Sequence, residues 1–340
     1  MQKKVIFATR LAPAERYFHY IDLLEPTANA SAVIGGTRLN LADFYPRDQD
    51  RWVADFVAWI GALNRTHACT EWWAHTVTAK NLLSSPFGNW LLQVLAVKAA
   101  IDKFEFTTLY VIGATADQAR VISVNSDRTK CLCVDHLPRE SNNTEFLPRL
   151  AYQFFRVLLC CVVPQWKFRP RCAPDICVFT YVDGHINQDS DAFFGKLATH
   201  ICAMHSNIVL DFVVFLHSPC LSTLRKLRTS VTARYVPLFA LLRFSDLTWA
   251  LKKTIRSFLG IDAFAFPPFG DLLEADRLFK AAMRRDLVAG AYFFNLLVFR
   301  AAIRYAKSYR PKKLIYPYEN KSLEKLLVAV HFTFYGKTLQ

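Results

Sequence analysis

The chain lacks any hydrophobic run long enough to cross a membrane. A spanning helix needs roughly 18 consecutive apolar residues. The nearest stretch, Leu287 to Phe299, carries Asn295 and is flanked by Arg285 and Arg300. It is expected to be a buried helix of a soluble protein. The opening residues, Met1 to Arg10, hold too short an apolar run for the core of a signal peptide and are expected to start a β-strand at Val5–Ala8. Phosphate-cradling glycine patterns are missing too. Ile34-Gly35-Gly36-Thr37 and Ile112-Gly113-Ala114-Thr115 fit neither G-x-G-x-x-G nor a P-loop, so each reads as a tight strand-to-helix turn. There is no G-x-S-x-G elbow for a serine nucleophile, no internal repeat and no low-complexity tract.

Metal-ligand spacing is also absent. Cys131 and Cys133 alternate on an expected strand near His136, but no second ligand pair completes a tetrahedral site, and Cys172 and Cys177 fare no better. His200 and His205 are five apart, not the i, i+4 spacing that puts two imidazoles on one helix face. The nine cysteines are odd in number and scattered, and most sit in apolar runs such as Cys160-Cys161. That pattern suits the reduced thiols of a cytosolic protein and gives no disulfide framework.

What the sequence does have is a large apolar fraction and positive charge. Hydrophobic residues make up 53% and charged residues 21% of the 340, which is enough for a sizeable core and excludes wholesale disorder. The 28 phenylalanines point to a core rich in ring contacts. A net charge of +14 suits an anionic partner: nucleic acid, a phosphorylated substrate or an anionic membrane surface. The charge is spread, as in Arg225-Lys226-Arg228 and Lys252-Lys253-Arg256, and no RNA-recognition, basic-zipper or zinc-finger signature accompanies it. A nucleic-acid-binding role would therefore rest on charge alone.

Apolar runs of strand length alternate with helical patterns. Expected strands are Val5–Ala8, Thr108–Ile112, Cys131–Val134, Ile176–Tyr181, Ile208–Leu216, Tyr235–Leu241 and Lys313–Tyr318. Their near-continuous Val, Ile and Phe content suits strands buried on both faces. Expected helices are Asp50–Asn64, Pro86–Lys103, Glu145–Val162, Asp191–His205, Ser245–Leu259, an interrupted Leu272–Tyr309 and Leu323–His331. The alternation predicts an α/β fold, doubly wound around mostly parallel, Rossmann-like sheet. Polar stretches at Asp135–Pro148 and Gln165–Pro174 suggest two regions, 1–165 and 170–340.

Candidate site residues follow from strand ends, because ligands in open parallel sheets bind at the carboxyl ends of strands. Asp183-Gly184-His185 follows the strand Ile176–Tyr181 and could act as acid and base, or simply form a turn. Glu319 and Asn320 fall where a strand gives way to a helix, with Ser322 as a capping side chain and Glu324 in the first turn. A carboxylate there could be a general base or hold a sugar hydroxyl. The simpler role, a partner for the helix dipole, suits Glu324 better than Glu319.

Four segments, in order, resemble the bacterial surface-carbohydrate biosynthesis family with GT-B-type glycosyltransferases. They are Glu71-Trp72-Trp73-Ala74 with Lys80-Asn81 and Ser84-Ser85-Pro86; Phe179-Thr180-Tyr181-Val182-Asp183; Asp191-Ala192-Phe193-Phe194-Gly195-Lys196-Leu197; and Tyr316-Pro317-Tyr318-Glu319-Asn320-Lys321-Ser322-Leu323-Glu324-Lys325. Lys321 stands where that family prefers Gln, and Leu323 where it prefers Trp. The resemblance implies a cytoplasmic protein, peripheral at the inner membrane, in O-antigen or capsule assembly. It implies a nucleotide-sugar donor, no metal or other cofactor, and a sugar or lipid-linked glycan acceptor. Asp183 and Glu319 would be catalytic, with Arg10, His185, Asn320 and Glu324 binding substrate. In that family a donor-binding domain follows the Glu-Asn segment. On that comparison the chain is expected to be a GT-B-like N-terminal, acceptor-side half, either a truncated product or one partner of a split enzyme whose other chain supplies the donor domain. The alternative is a non-catalytic scaffold that holds a glycan or a partner transferase.

Overall fold

The computed structural model describes residues 19–23, 37–46, 48–80, 85–104, 108–126, 130–134, 145–162, 172–182, 194–204, 207–216, 234–316 and 322–335. They form two units, each with a four-stranded, all-parallel sheet. The α/β expectation therefore holds. The units are interleaved in sequence, however. The first comprises 1–68, 77–146 and 258–288, and the second 69–76, 147–257 and 289–340. The sequence-based division at 165–170 differs from this. It leaves the helix Phe146–Val162 with the first region and misses the two exchanged segments.

In the first unit the sheet order is β2 (Thr37–Leu39), β1 (His19–Asp22), β3 (Thr108–Ile112), β4 (Lys130–Val134). On β3, Leu109, Val111 and Ile112 are fully buried, as an interior parallel strand requires. After β3, Gly113 takes the left-handed conformation (φ 76°). Thr115 then caps α4 (Ala116–Val124) in a reciprocal box: Gln118 N–H donates to Thr115 Oγ1 at 3.2 Å, and Thr115 N–H donates to Gln118 Oε1 at 3.0 Å. The Gln118 amide also donates to Gln93 on α3 (Pro86–Lys103) at 2.7 Å, and Gln93 donates to the Leu23 carbonyl at 3.1 Å. Two buried glutamines thus satisfy each other and the backbone just past β1. Pro86 opens α3 behind the Ser85 cap, where a missing N–H costs nothing. The core is aromatic. Trp59 of α1 (Gln49–Thr66) and Phe87 of α3 meet Phe279 of α8 (Ala275–Ala289) at 5.4 and 5.0 Å between centroids, in edge-on geometry.

In the second unit the order is β7 (Arg234–Pro237), β6 (Leu210–Leu216), β5 (Ile176–Val182), β8 (Lys313–Ile315). Around it lie α2 (Thr70–Trp73), α5 (Phe146–Val162, from Leu147 on), α6 (Leu197–Met204), α7 (Phe244–Gly260, as far as Ser257), α9 (Ala291–Tyr309) and α10 (Ser322–Tyr335). The α9 residues Tyr292, Phe293, Leu296, Leu297 and Val298 are almost fully buried, so the longest apolar run of the sequence is core. Among the described residues no single helix is long and apolar enough to cross a membrane.

Several expected elements are shorter. The strand that begins at Arg234 stops at Pro237, whose ring and missing N–H turn the chain into a 3-10 helix over Leu238–Leu241. The strand from Lys313 ends at Ile315, not Tyr318. Within the expected helix Asp191–His205, the helix itself begins at Leu197, after Gly195 in the left-handed region (φ 54°). The long pattern from Leu272 splits at Gly290 (φ 81°) into α8 and α9. The expected strand Val5–Ala8 lies outside the described residues.

Candidate functional site

In the second unit the chain lays down β5, β6 and β7 in one direction across the sheet, then returns to the other flank of β5 for β8. All three pairings are parallel. The strand order therefore reverses between β5 and β8, which is where a crevice opens at the carboxyl edge of such sheets. The register pairs Val178 with Ile315, the last residue of β8, and β5 runs on to Val182. In sequence, Asp183 follows β5 directly, and Glu319 comes four residues after β8. Asp183, His185, Glu319, Asn320 and Arg10 themselves lie outside the described residues.

Glu324 is described. It occupies the first turn of α10 and is buried, 6% exposed. That position suits a carboxylate facing a helix amino end.

The Trp-rich segment 69–76 forms a polar cluster that sequence reasoning did not assemble. Its helix α2 packs against α10 within the second unit. Asn295 of α9, the polar residue that interrupts the apolar run, donates to the Ala74 carbonyl at 2.8 Å. Glu71 pairs with Lys253 of α7. Burial alone would raise the Glu71 carboxyl, but the Lys253 ammonium holds it below its ordinary value. His75 Nε2 lies 3.1 Å from Ser257 Oγ, and its ring sits 4.3 Å from the Tyr292 ring. Complete burial pushes the His75 imidazole down to about 3, so it is neutral at physiological pH. Burial also pushes the Tyr292 phenol well up. A neutral imidazole beside a hydroxyl is the chemistry of a general base, but His75 and Tyr292 are 1% and 0% exposed. The cluster fastens segment 69–76 to α7 and α9 and leaves no room for a substrate. Only Glu71 and Asn295 stand out in the sequence. Lys253 and Ser257 come from a helix about 180 residues away, and no local spacing signals them.

Two buried carboxylates are structural in the same way. Asp211, the second residue of β6, accepts from Tyr305 Oη at 2.6 Å and Arg234 Nε at 2.5 Å, at the amino edge of the sheet, opposite the reversal. Asp246, in the first turn of α7, accepts from the Arg243 N–H, from Arg300 at 2.9 Å and from Arg304 at 2.5 and 3.0 Å. Its burial would raise the carboxyl; the Arg304, backbone and Arg300 donors overcome that and hold it low. Among the described residues no three His, Cys, Asp or Glu side chains gather as a metal site would need.

No protein-family model matches the chain, and comparison with curated proteins and with solved structures finds no match.

Proposed function

We propose that this chain transfers, or helps to transfer, a sugar from a nucleotide donor in surface-polysaccharide assembly, with its site at the carboxyl edge of β5 and β8. The observation that carries the reading is the reversal of strand order there. The order β7-β6-β5-β8 corresponds to the 3-2-1-4 order of Rossmann dinucleotide-binding halves, and β2-β1-β3-β4 to the 2-1-3-4 order of flavodoxin-like sheets. Two such units in one chain suit a GT-B-like architecture. The segments leading from β5 and β8 contain the two candidate carboxylates, Asp183 and Glu319.

The chemistry needs few parts. A carboxylate takes the proton of an acceptor hydroxyl while that oxygen bonds to the anomeric carbon of the donor. The bond from the anomeric carbon to the donor's nucleoside phosphate breaks, and cationic side chains such as Arg10 stabilise the departing anion. His185 and Asn320 would orient acceptor or donor hydroxyls.

The test is calorimetry of the purified chain with UDP-, GDP- and CMP-sugars, alone and with partner proteins of the same pathway. Binding of one donor is expected. Heat from none of them, under either condition, sinks the transferase reading and leaves the glycan-holding scaffold. Glu319→Ala is expected to cut transfer by about 10²–10⁴-fold with the fold intact, the size of a lost general base. Full activity in that variant would reduce Glu319 to a helix-start residue.

A further inference from the structure

Of the nine large hydrophobic side chains exposed among the described residues, four cluster: Leu147, Tyr152 and Phe155 on α5, and Phe244 at the start of α7. Each is 61–65% exposed. Leu147, Ala151 and Phe155 recur at i, i+4 and i+8, so they form one stripe of α5, with Tyr152 beside it. The rings are continuous. Phe155 meets Phe154 at 5.9 Å between centroids, and Phe154 meets Phe244 at 6.5 Å. The adjoining face of the helix already supplies the core through Leu150 and Val157, 2% and 5% exposed. A helix that is apolar on its outer face as well is expected to be covered by something.

Charge says by what. From Phe146 to Val162 the helix has two arginines and no acidic residue. Arg149 and Arg156, seven residues apart, lie together on the flank of α5 beyond Tyr152. Arg243 is exposed next to Phe244. The nearest carboxylates in sequence are Glu145, exposed just before the helix, and Asp246, buried beneath Arg300 and Arg304. Aromatic and aliphatic side chains interleaved with arginine, on a chain of net charge +14, complement an anionic lipid interface: rings enter the headgroup boundary and guanidinium groups meet phosphate.

We propose that the outer face of α5, together with Phe244, docks this protein onto an anionic membrane surface. This goes beyond the sugar-transfer reading and does not depend on it, since docking requires no nucleotide sugar. The test is co-sedimentation of the full chain with sucrose-loaded vesicles, phosphatidylcholine alone against phosphatidylcholine with phosphatidylglycerol. The chain is expected to pellet with the anionic vesicles and to be released by salt. Leu147→Ser with Phe155→Ser should weaken binding by about tenfold or more, because the lost apolar burial drives insertion. Arg149→Gln with Arg156→Gln and Arg243→Gln should weaken binding to anionic vesicles and flatten its salt dependence. The altered side chains are mostly exposed, and an unchanged thermal midpoint confirms the fold; Phe155→Glu alone is the second variant should the double serine variant unfold. Three results overturn the proposal. One is equal recovery with neutral and anionic vesicles. Another is undiminished binding by the serine variant or by Phe155→Glu. The third is a solution dimer that Phe155→Glu splits while neither form binds lipid, which would assign the face to a second copy of the chain.

Discussion

His75 shows how burial turns a residue of catalytic type into a structural one, and it makes the fold sensitive to acid. Its imidazole is held neutral down to about pH 3, while in the unfolded chain it takes a proton near 6.5. Above pH 6.5 both states are neutral and the group contributes no pH dependence. Between about 6.5 and 3 the unfolded chain binds a proton that the folded chain does not, so stability falls as pH falls. The slope is at most about 1.4 kcal/mol per pH unit. The depressed carboxyls of Asp246 and Glu71 act lower, because their contribution fades only below the unfolded carboxylate values near 4. His75→Gln is therefore expected to be less stable at pH 7, having lost the ring packing on Tyr292, yet to lose less stability than the parent between pH 6.5 and 4.5. Urea melts at several pH values measure both, and parallel pH profiles for the two proteins would show that His75 is protonated in the fold. None of this was legible in the sequence, where His75 is one polar residue after a Trp pair. Glu324 was legible as a first-turn carboxylate, since Ser322-Leu323-Glu324 carries the local signal of a helix start.

At the scale of elements, legibility tracked apolar content. The strand Thr108–Ile112 and the helix Pro86–Lys103 are found with the bounds their patterns give, because a continuous Leu/Tyr/Val/Ile run and a Ser-Pro cap are both local signals. β1 escaped notice: His19, Tyr20 and Asp22 surround Ile21, and parallel pairing on both sides makes it a strand despite that composition. β2, with Thr37 and Arg38, is too short to show any period. α4 hides in a mixed sequence whose stability comes from its capping box and from Gln93. The break between α8 and α9 is a glycine effect with a measurable cost. Gly290 has φ 81°, and a Cβ there would sit 2.8 Å from Gln153 Cγ. Gly290→Ala adds backbone strain to a steric clash and is expected to cost about 1–3 kcal/mol. The same change at Gly260, which has open space and no positive φ, should cost less. The urea midpoints of the two variants decide it, and equal values would remove the role assigned to the Gly290 conformation.

At the scale of the whole molecule, the two parallel-sheet units are not two consecutive pieces of chain. The first unit is completed only by residues 258–288, which lie beyond most of the second. Phe258 stacks on Phe146 at 3.9 Å, Phe279 closes the ring cluster of Trp59 and Phe87, and the Asp286 carboxylate accepts from the Val77 N–H. Leu278, Phe279, Met283 and Leu287 are all 1% exposed or less. At about 1.5–3 kcal/mol for each buried large side chain, those four alone account for roughly 6–12 kcal/mol of burial. That is comparable to the whole net stability of an ordinary domain, about 5–15 kcal/mol. A fragment 1–146 thus contains the complete first sheet and still lacks the means to stay folded. Expressed alone, it is expected to give a flat near-UV circular dichroism spectrum, to bind a hydrophobic dye and to show no cooperative urea transition. Joining residues 258–288 to it through a flexible linker should restore that transition. Cooperative unfolding by the fragment alone would show that the strands and α3 suffice, and that the exchanged segment is an addition to the first unit's core and not a part it requires.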